Sequence, residues 1–157
     1  MSWMECIMIT RTTPRMDIVR QHCRLSISDI AAEAAARSSS IEEKIAASGL
    51  EPSGPWIFVS HNLPQDAETL FDWEIWRPVA GLPNEATAME VEHIPSARVA
   101  SRLFRGILAE IFTCGYLPLL TEIAEEGLAL SGESREIYHQ WSGPEEKAEV
   151  EIQFVLA

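Results

Sequence analysis

Apolar residues alternate with polar ones over short stretches of this chain, which is the pattern of half-buried β-strands. Most of these stretches are rich in β-branched and aromatic residues, and many end near Pro, Gly or Asn, which favour turns. The prolines at 14 and 95 predict two such turns, in corresponding places of the two halves of the chain. The pattern predicts eight strands, over residues 5–13, 16–24, 56–61, 70–77, 87–93, 98–104, 135–141 and 149–155.

Helical patterns occupy the stretches between some of these strands. Ser28 precedes an Ala-rich run, and Ser is a common residue at a helix N-cap. The serines at 38–40 interrupt the run, and Ser40 with Glu43 forms a capping-box pattern for a second helical stretch. Gly49 then suits a helix C-cap. In the second half, a helix is predicted over 117–126, because proline is tolerated in a first helical turn.

The same series of motifs occurs twice. The letters SGLEPSG at 48–54 precede DWEI at 72–75, and about 78 residues later EGLALSG at 126–132 precedes EVEI at 149–152. Self-similarity of this kind indicates a repeated supersecondary unit. We predict an α+β fold with antiparallel sheets, as one domain over 1–157. Its two pseudo-symmetric βαββ repeats are residues 1–80 and 86–157, with a short linker near 81–84 and a ligand groove at the seam.

Composition narrows the class of protein. No stretch approaches the roughly 18 to 20 apolar residues that cross a membrane, and residues 1–6 lack the pattern of a signal peptide. The three cysteines, Cys6, Cys23 and Cys114, are scattered, which favours reduced thiols and a cytoplasmic location. No phosphate-binding loop, hydrolase motif or metal-ligand spacing occurs, so we predict neither a metal nor a cofactor.

The formal net charge of −12 is shared by both halves of the chain. Residues 1–80 carry 7 basic and 11 acidic side chains, and residues 81–157 carry 5 and 13. Binding to a phosphate backbone needs clustered Lys and Arg, so nucleic acid is excluded as a direct partner. The charge either serves solubility alone or draws cations to the protein.

Tryptophans and carboxylates supply the candidate chemistry. Four of the five tryptophans, Trp56, Trp73, Trp76 and Trp141, lie on predicted strands. They either pack in the core or line a pocket for flat or cationic molecules, because an indole ring attracts cations. Strand alternation divides the segment 71–76 between two faces: Phe71, Trp73 and Ile75, against Asp72, Glu74 and Trp76.

Glu74 is either part of a solvated face or a counter-charge for a bound cation. The repeat also aligns His61 with His139. These histidines are either separate strand residues or polar lining of one cleft.

These residues and their order resemble the GyrI-like effector-binding domain. The second half contributes IPSARVA at 94–100, FRG at 104–106, EGL at 126–128, REIY at 135–138 and VEI at 150–152. The first half contributes GL at 49–50, SGP at 53–55, WEI at 73–75 and PV at 78–79. The resemblance covers essentially the whole chain and rests on the order and spacing of these motifs.

The resemblance implies two βαββ units around a central groove that senses hydrophobic or cationic drugs. Such domains accompany MerR- or AraC-type DNA-binding regions, whereas this chain shows no helix-turn-helix pattern and is expected to act alone. The family's Arg-Gly motif often continues with Pro-Tyr, but here Ile107-Leu108 follow, so one pocket aromatic is missing. Some members carry an acid directly after the tyrosine that matches Tyr138, and here His139 stands there. Trp141, Glu136 or Glu74 would have to compensate.

The leading hypothesis is a binding module that sequesters or senses a small aromatic, possibly cationic, molecule. The candidate ligand-binding residues come from both repeats: Trp56, His61, Phe71, Trp73, Glu74, Phe104, Glu136, Tyr138, His139 and Trp141.

Two alternatives stay open, because related domains hydrolyse reactive cyclopropane-bearing toxins or are linked to protecting DNA gyrase. In a hydrolase of strained electrophiles, Glu74 or Glu136 would orient water and Tyr138 would donate a hydrogen bond. An acidic interaction module would instead dock on gyrase or another basic partner. No membrane contact is expected, and a protein partner or a homodimer remains open.

Overall fold

The computed structural model describes residues 7–83 and 90–157. The predicted α+β class is confirmed, with two α-helices and nine strands in these ranges. In chain order the elements are β1 (Ile9–Thr12), β2 (Met16–Leu25), α1 (Ile30–Ser48), β3 (Glu51–Pro52), β4 (Ile57–His61), β5 (Phe71–Ala80), β6 (Glu92–Ile94), β7 (Arg98–Gly106), α2 (Leu117–Glu125), β8 (Leu130–Gln140) and β9 (Ala148–Leu156).

The chain divides into two compact units. The central unit is Arg15–Pro95, and the terminal unit combines Met1–Pro14 with Ser96–Ala157. The chain leaves one unit and enters the other at Pro14 and again at Pro95, the two prolines that the pattern predicts to lie in turns. The division into repeats 1–80 and 86–157 stays a prediction.

Both units have the same connectivity. In the central unit the strand order is β4-β5-β2-β6, with β3 paired to the end of β5. In the terminal unit it is β8-β9-β7-β1. Each unit therefore has a long strand, a helix and two further strands, with a short strand on the outer edge of the long one. All these pairings are antiparallel.

The core of the central unit lies between its sheet and α1. Phe71, Trp73 and Ile75 of β5 are buried there with Ile41 and Ile45 of the helix. The face predicted from alternation along β5 is thus confirmed. Strand β5 also runs through Pro78 to Ala80, so its predicted end at residue 77 is wrong. The Pro78 carbonyl still accepts a hydrogen bond from the Ser53 N–H, at 2.9 Å. The strand pairing therefore continues past the proline.

Helix α1 is continuous, and the predicted break at the serines is wrong. The Ser38 hydroxyl donates back to the Ala35 carbonyl at 3.1 Å, and Ser40 accepts a hydrogen bond from the Gln21 side chain. The predicted cap at Ser28 is also displaced, because a 3-10 turn over Ile27–Asp29 precedes the helix. The helix ends, as predicted, at Gly49, whose φ of 80° is strained for any residue with a side chain.

In the terminal unit, the prediction for the segment before the helix is wrong. Residues 107–116, which read as loop and turn, form a 3-10 turn over Leu108–Glu110 and a π-helical turn over Phe112–Tyr116. The predicted helix over 117–126 is confirmed to within one residue. Strand β8 begins at Leu130, five residues before its predicted start.

Two predicted strands fall partly outside the described residues. The prediction over 5–13 is seen as β1, and the prediction over 87–93 is seen as β6. Residues 1–6, with Cys6, and residues 84–89, with the end of the predicted linker, lie outside. Within the described ranges, no helix has the length and apolar character needed to cross a membrane.

Candidate functional site

Glu136 of β8 is the centre of a hydrogen-bonded group in the terminal unit. The hydroxyls of Tyr116 and Tyr138 donate to its two carboxylate oxygens, Tyr138 at 2.5 Å. Tyr138 lies two residues along the same strand and therefore on the same face. Tyr116 comes from the end of the π-helical turn, directly before α2. A neighbour on the same strand and a residue 20 positions away thus bring their hydroxyls to one carboxyl group.

Two further aromatic rings contact Tyr116 of this group. The ring of Tyr116 stacks on Phe112, with centroids 6.2 Å apart and planes 26° apart, and meets Phe154 edge-on at 5.9 Å. Phe112 is 45% exposed, whereas Glu136 and Tyr138 are half-buried. We call these five residues, Glu136, Tyr116, Tyr138, Phe112 and Phe154, the carboxyl–tyrosine site.

The surroundings of the site disfavour the charged form of the Glu136 carboxyl group relative to a carboxyl group in water. Burial raises the pKa of Glu136, and the two hydroxyl donors only partly offset this effect. Burial and the nearby negative charge also raise the pKa of Tyr116 and of Tyr138 well above the usual value. Both hydroxyls therefore remain donors at ordinary pH. No Lys, Arg or His of the described chain forms an ion pair with Glu136.

Glu74 is the predicted ligand-binding acid of the central unit, and its negative charge already has partners within that unit. Its carboxylate accepts from Arg20 at 2.9 Å, from His61 at 2.6 Å and from the Trp76 indole at 3.1 Å. Burial alone would raise the pKa of Glu74, but these partners outweigh burial and hold the pKa below its usual range. A ligand cation at Glu74 would compete with the guanidinium of Arg20.

The other predicted residues of the central unit are mainly packing residues. Phe71 and Trp73 lie in the core against α1, and Trp73 meets Phe58 edge-on at 5.2 Å. Within the described chain, the buried Nε1 of Trp73 has no hydrogen-bond partner. Trp56 is half-buried beneath the Arg77 guanidinium, 4.7 Å from the ring centroid. Their predicted place in a shared groove stays a prediction.

In the terminal unit, no hydrogen bond to Glu136 is seen from the remaining predicted residues. Phe104 is buried beneath Gly106 and Gly115. His139 faces the opposite side of β8, where it contacts Glu151 at 3.1 Å. Trp141 is 53% exposed just beyond the end of β8.

Sequence reasoning selected Glu136 and Tyr138 but missed Tyr116. Tyr116 lies 20 residues from Glu136 in a segment without strand or helix periodicity, so no spacing links them. One signal was available, because the chain has only two tyrosines and both bind this carboxyl group. The expected acid after Tyr138 is absent, but a carboxyl group stands two residues before that tyrosine.

Neither a known family profile nor a curated protein sequence matches this chain. Among solved structures, it is similar to the EcmrR C-terminal domain, with a TM-score of 0.76 at 16% identity over 96% of this chain and 97% of that one. It is also similar to SAV2435 bound to tetraphenylphosphonium, with a TM-score of 0.60 at 10% identity over 96% and 94%.

A hydrolase encoded by lin2189 from Listeria innocua matches with a TM-score of 0.62 at 10% identity, over 97% of this chain and 92% of that one. At such identities, likeness establishes the fold alone. The α+β fold of this chain is therefore that of the EcmrR C-terminal domain and is consistent with the GyrI-like fold.

Proposed function

We propose that this chain binds a small aromatic cation and that Glu136 is the anchor for its charge. The observation that carries this proposal is the carboxyl group of Glu136, which is held by two hydroxyl donors among aromatic rings and has no cationic partner in the described chain. Glu74 and Glu151, by contrast, already contact arginines.

The free energy for binding comes from relieving an unfavourable charge. A carboxylate offers about four lone-pair directions, and the two tyrosine hydroxyls occupy two of them. Ionising Glu136 in its half-buried setting is costly, and a bound cation would offset that cost. Aromatic faces near the carboxylate would add about 0.5 to 2 kcal/mol for each cation–π contact. A flat or aryl-bearing cation uses both features.

The comparisons support this proposal at a coarse level. SAV2435 shares the fold and was solved with tetraphenylphosphonium, a lipophilic aryl cation. The EcmrR neighbour is the C-terminal domain of its protein. Sensing or sequestration of a drug-like molecule by the present chain follows from the proposal.

The test is calorimetric titration with tetraphenylphosphonium and with neutral triphenylphosphine oxide. Glu136→Gln should weaken binding of the cation at least tenfold, because loss of one partner of a half-buried ion pair costs about 2 kcal/mol or more. The same substitution should leave the affinity for the neutral ligand nearly unchanged. Glu125→Gln, an exposed position at the end of α2, makes the same change in net charge and is the control.

The pH dependence gives a second readout in the same experiment. Because the pKa of Glu136 is raised in the free protein, a cation competes with a proton at low pH. Affinity should therefore fall as the pH is lowered through that pKa, and the Glu136→Gln variant should lack this dependence. Equal affinity of wild type and Glu136→Gln for the cation would rule out the anchor.

A hydrolase is the second candidate function. The carboxyl group of Glu136, with its raised pKa, lies 2.5 Å from the Tyr138 hydroxyl, so an acid or base and a hydrogen-bond donor share one site. The lin2189 neighbour is a hydrolase of the same fold. Turnover of a strained electrophile, lost in Glu136→Gln, would favour this function over simple binding.

A further inference from the structure

The π-helical turn Phe112–Tyr116 lies unusually close to the sheet of the terminal unit. A Cβ atom at Gly115 would stand 2.6 Å from Cδ1 of Ile152 on β9 and 3.5 Å from Cβ of Phe104. No larger residue fits there unless the turn or Ile152 moves. The φ of Gly115 is not in the left-handed region, so the requirement for glycine is steric. Turns of this type are frequent at functional sites.

The close approach occurs beside the carboxyl-bearing residue. Ile152 is the cross-strand partner of Glu136, and Tyr116 follows Gly115 directly. The small Gly115 therefore lets the turn pack at its present height above the sheet, directly before Tyr116. At that height the buried Tyr116 hydroxyl donates to the Glu136 carboxylate.

The other end of the turn presents an aromatic ring. Phe112 stacks on Tyr116 and keeps 45% of its surface exposed, which is unusual for a phenylalanine. One short element thus supplies a hydroxyl for the carboxyl group and, on the ring of that same tyrosine, a partly exposed second aromatic ring.

We propose that the turn Phe112–Tyr116 determines the selectivity of the carboxyl–tyrosine site for aromatic over aliphatic cations. Phe112 is the aromatic contact for the ligand, and Gly115 is the positioning residue that places Tyr116 on Glu136. This inference rests on the proposed function and identifies which part of the site recognises the organic groups of the cation.

The ligand test compares tetraphenylphosphonium with tetrabutylphosphonium. Phe112→Leu keeps an apolar side chain but removes the ring, so the ratio of the two affinities should fall about 3- to 10-fold. Trp141→Leu removes a similarly exposed aromatic residue of the same unit and should leave the ratio unchanged. An unchanged ratio in Phe112→Leu, or an equal fall in both variants, would overturn the role of Phe112.

The positioning test needs no ligand. The Glu136 carboxyl group is titrated by its side-chain 13C NMR signal in wild type, Tyr116→Phe, Gly115→Ala and the double variant Gly115→Ala with Ile152→Val. The hydroxyl donor lowers the pKa of Glu136, so Tyr116→Phe should raise it further. Gly115→Ala should also raise the pKa of Glu136, because it displaces the Tyr116 hydroxyl. Ile152→Val removes the obstructing Cδ1 atom and should restore the wild-type curve.

An unchanged titration in Gly115→Ala, or no restoration in the double variant, would overturn the positioning role. If wild type binds neither cation, the proposed function and the selectivity role of Phe112 both fail. The titration still decides whether Gly115 positions Tyr116. Thermal melting of each variant identifies any that fails to fold, and the double variant then supplies the deciding comparison.

Discussion

Two glutamates of the terminal unit show how surroundings decide the role of a side chain. Glu151 of β9 faces away from Glu136 and accepts four side-chain hydrogen bonds, from Gln153 at 2.7 Å, Arg11 at 2.6 Å, Ser101 at 2.8 Å and His139 at 3.1 Å. Burial alone would raise the pKa of Glu151, but these donors lower it to about 2. The donors to Glu136 among residues 7–83 and 90–157 are two hydroxyls, and burial raises the pKa of Glu136. One carboxylate is stabilised by folding, whereas the other is destabilised.

The same substitution should therefore have opposite effects at the two positions. At pH 7, Glu151→Gln should lower the free energy of unfolding by roughly 2 to 3 kcal/mol, since one pKa unit corresponds to about 1.4 kcal/mol and Arg11 is partly exposed. Glu136→Gln should raise the free energy of unfolding, because it removes a carboxyl group that costs energy when ionised.

Urea unfolding as a function of pH checks the predicted sign of the change in the free energy of unfolding for both variants. A lowered pKa stabilises the fold above the unfolded value near 4.5, so the deficit of Glu151→Gln should shrink as the pH falls from 5 towards 2. A raised pKa costs stability above that value, so the gain of Glu136→Gln should disappear below about pH 4. A loss of stability in Glu136→Gln at pH 7 would contradict the assignment of an unrelieved charge.

At the scale of elements, the two helices begin in different ways. Helix α1 follows a 3-10 turn in which the Asp29 carboxylate accepts from both the backbone N–H and the hydroxyl of Ser26. Helix α2 follows the π-helical turn, with Pro118 in its first turn. The 3-10 turn before α1 stabilises the start of that helix. The π-helical turn before α2 places Tyr116 and Phe112 at the carboxyl–tyrosine site.

Ser26→Ala should destabilise the protein by about 1 kcal/mol, the usual cost of losing an N-terminal cap residue. Ser39→Ala is the matched control, because Ser39 is an exposed residue inside α1 and alanine is the better helix former. It should raise stability by a few tenths of a kcal/mol. Denaturant unfolding measures both, and equal effects would contradict the cap at Ser26.

For the whole molecule, charge is the dominant property. The chain carries 24 acidic and 12 basic side chains, with the excess of acid in both halves of the sequence. Such a net charge attracts cations over about one Debye length, which is about 30 Å at 0.01 M salt and about 3 Å at 1 M. The field is not specific, so it affects the encounter with a ligand rather than its recognition.

The association rate of tetraphenylphosphonium should therefore fall as salt is raised from about 0.01 M to about 0.5 M. The rate for neutral triphenylphosphine oxide should change little over the same range. Stopped-flow measurements with both ligands separate attraction by the field from any general effect of salt. Parallel salt dependence for the two ligands would contradict electrostatic steering.

Much of the fold could be predicted from local patterns. Alternation identified the strands and put Trp73 on one face with Phe71 and Ile75, because period-two alternation is a property of neighbouring residues. The structure shows that this face is the core. The continuity of α1 could not be predicted, since Ser40 is tolerated in the helix through its contact with Gln21 on another element. Of the five residues of the carboxyl–tyrosine site, sequence reasoning selected Glu136 and Tyr138, which share a face of one strand because they are two residues apart. It did not select Tyr116, Phe112 or Phe154.

By itself, the sequence determined the α+β class, the faces of the strands, the acidic charge and the presence of a glutamate two residues before a tyrosine. The tertiary structure decided which carboxylates are paired with an arginine. Glu74 contacts Arg20 across a strand pair. Among the described residues, Glu136 accepts side-chain hydrogen bonds from the hydroxyls of Tyr138 and of Tyr116, and Tyr116 follows a glycine close to Ile152. The pKa of a carboxyl group depends on burial and on neighbours within a few ångströms, and long-range folding chooses those neighbours.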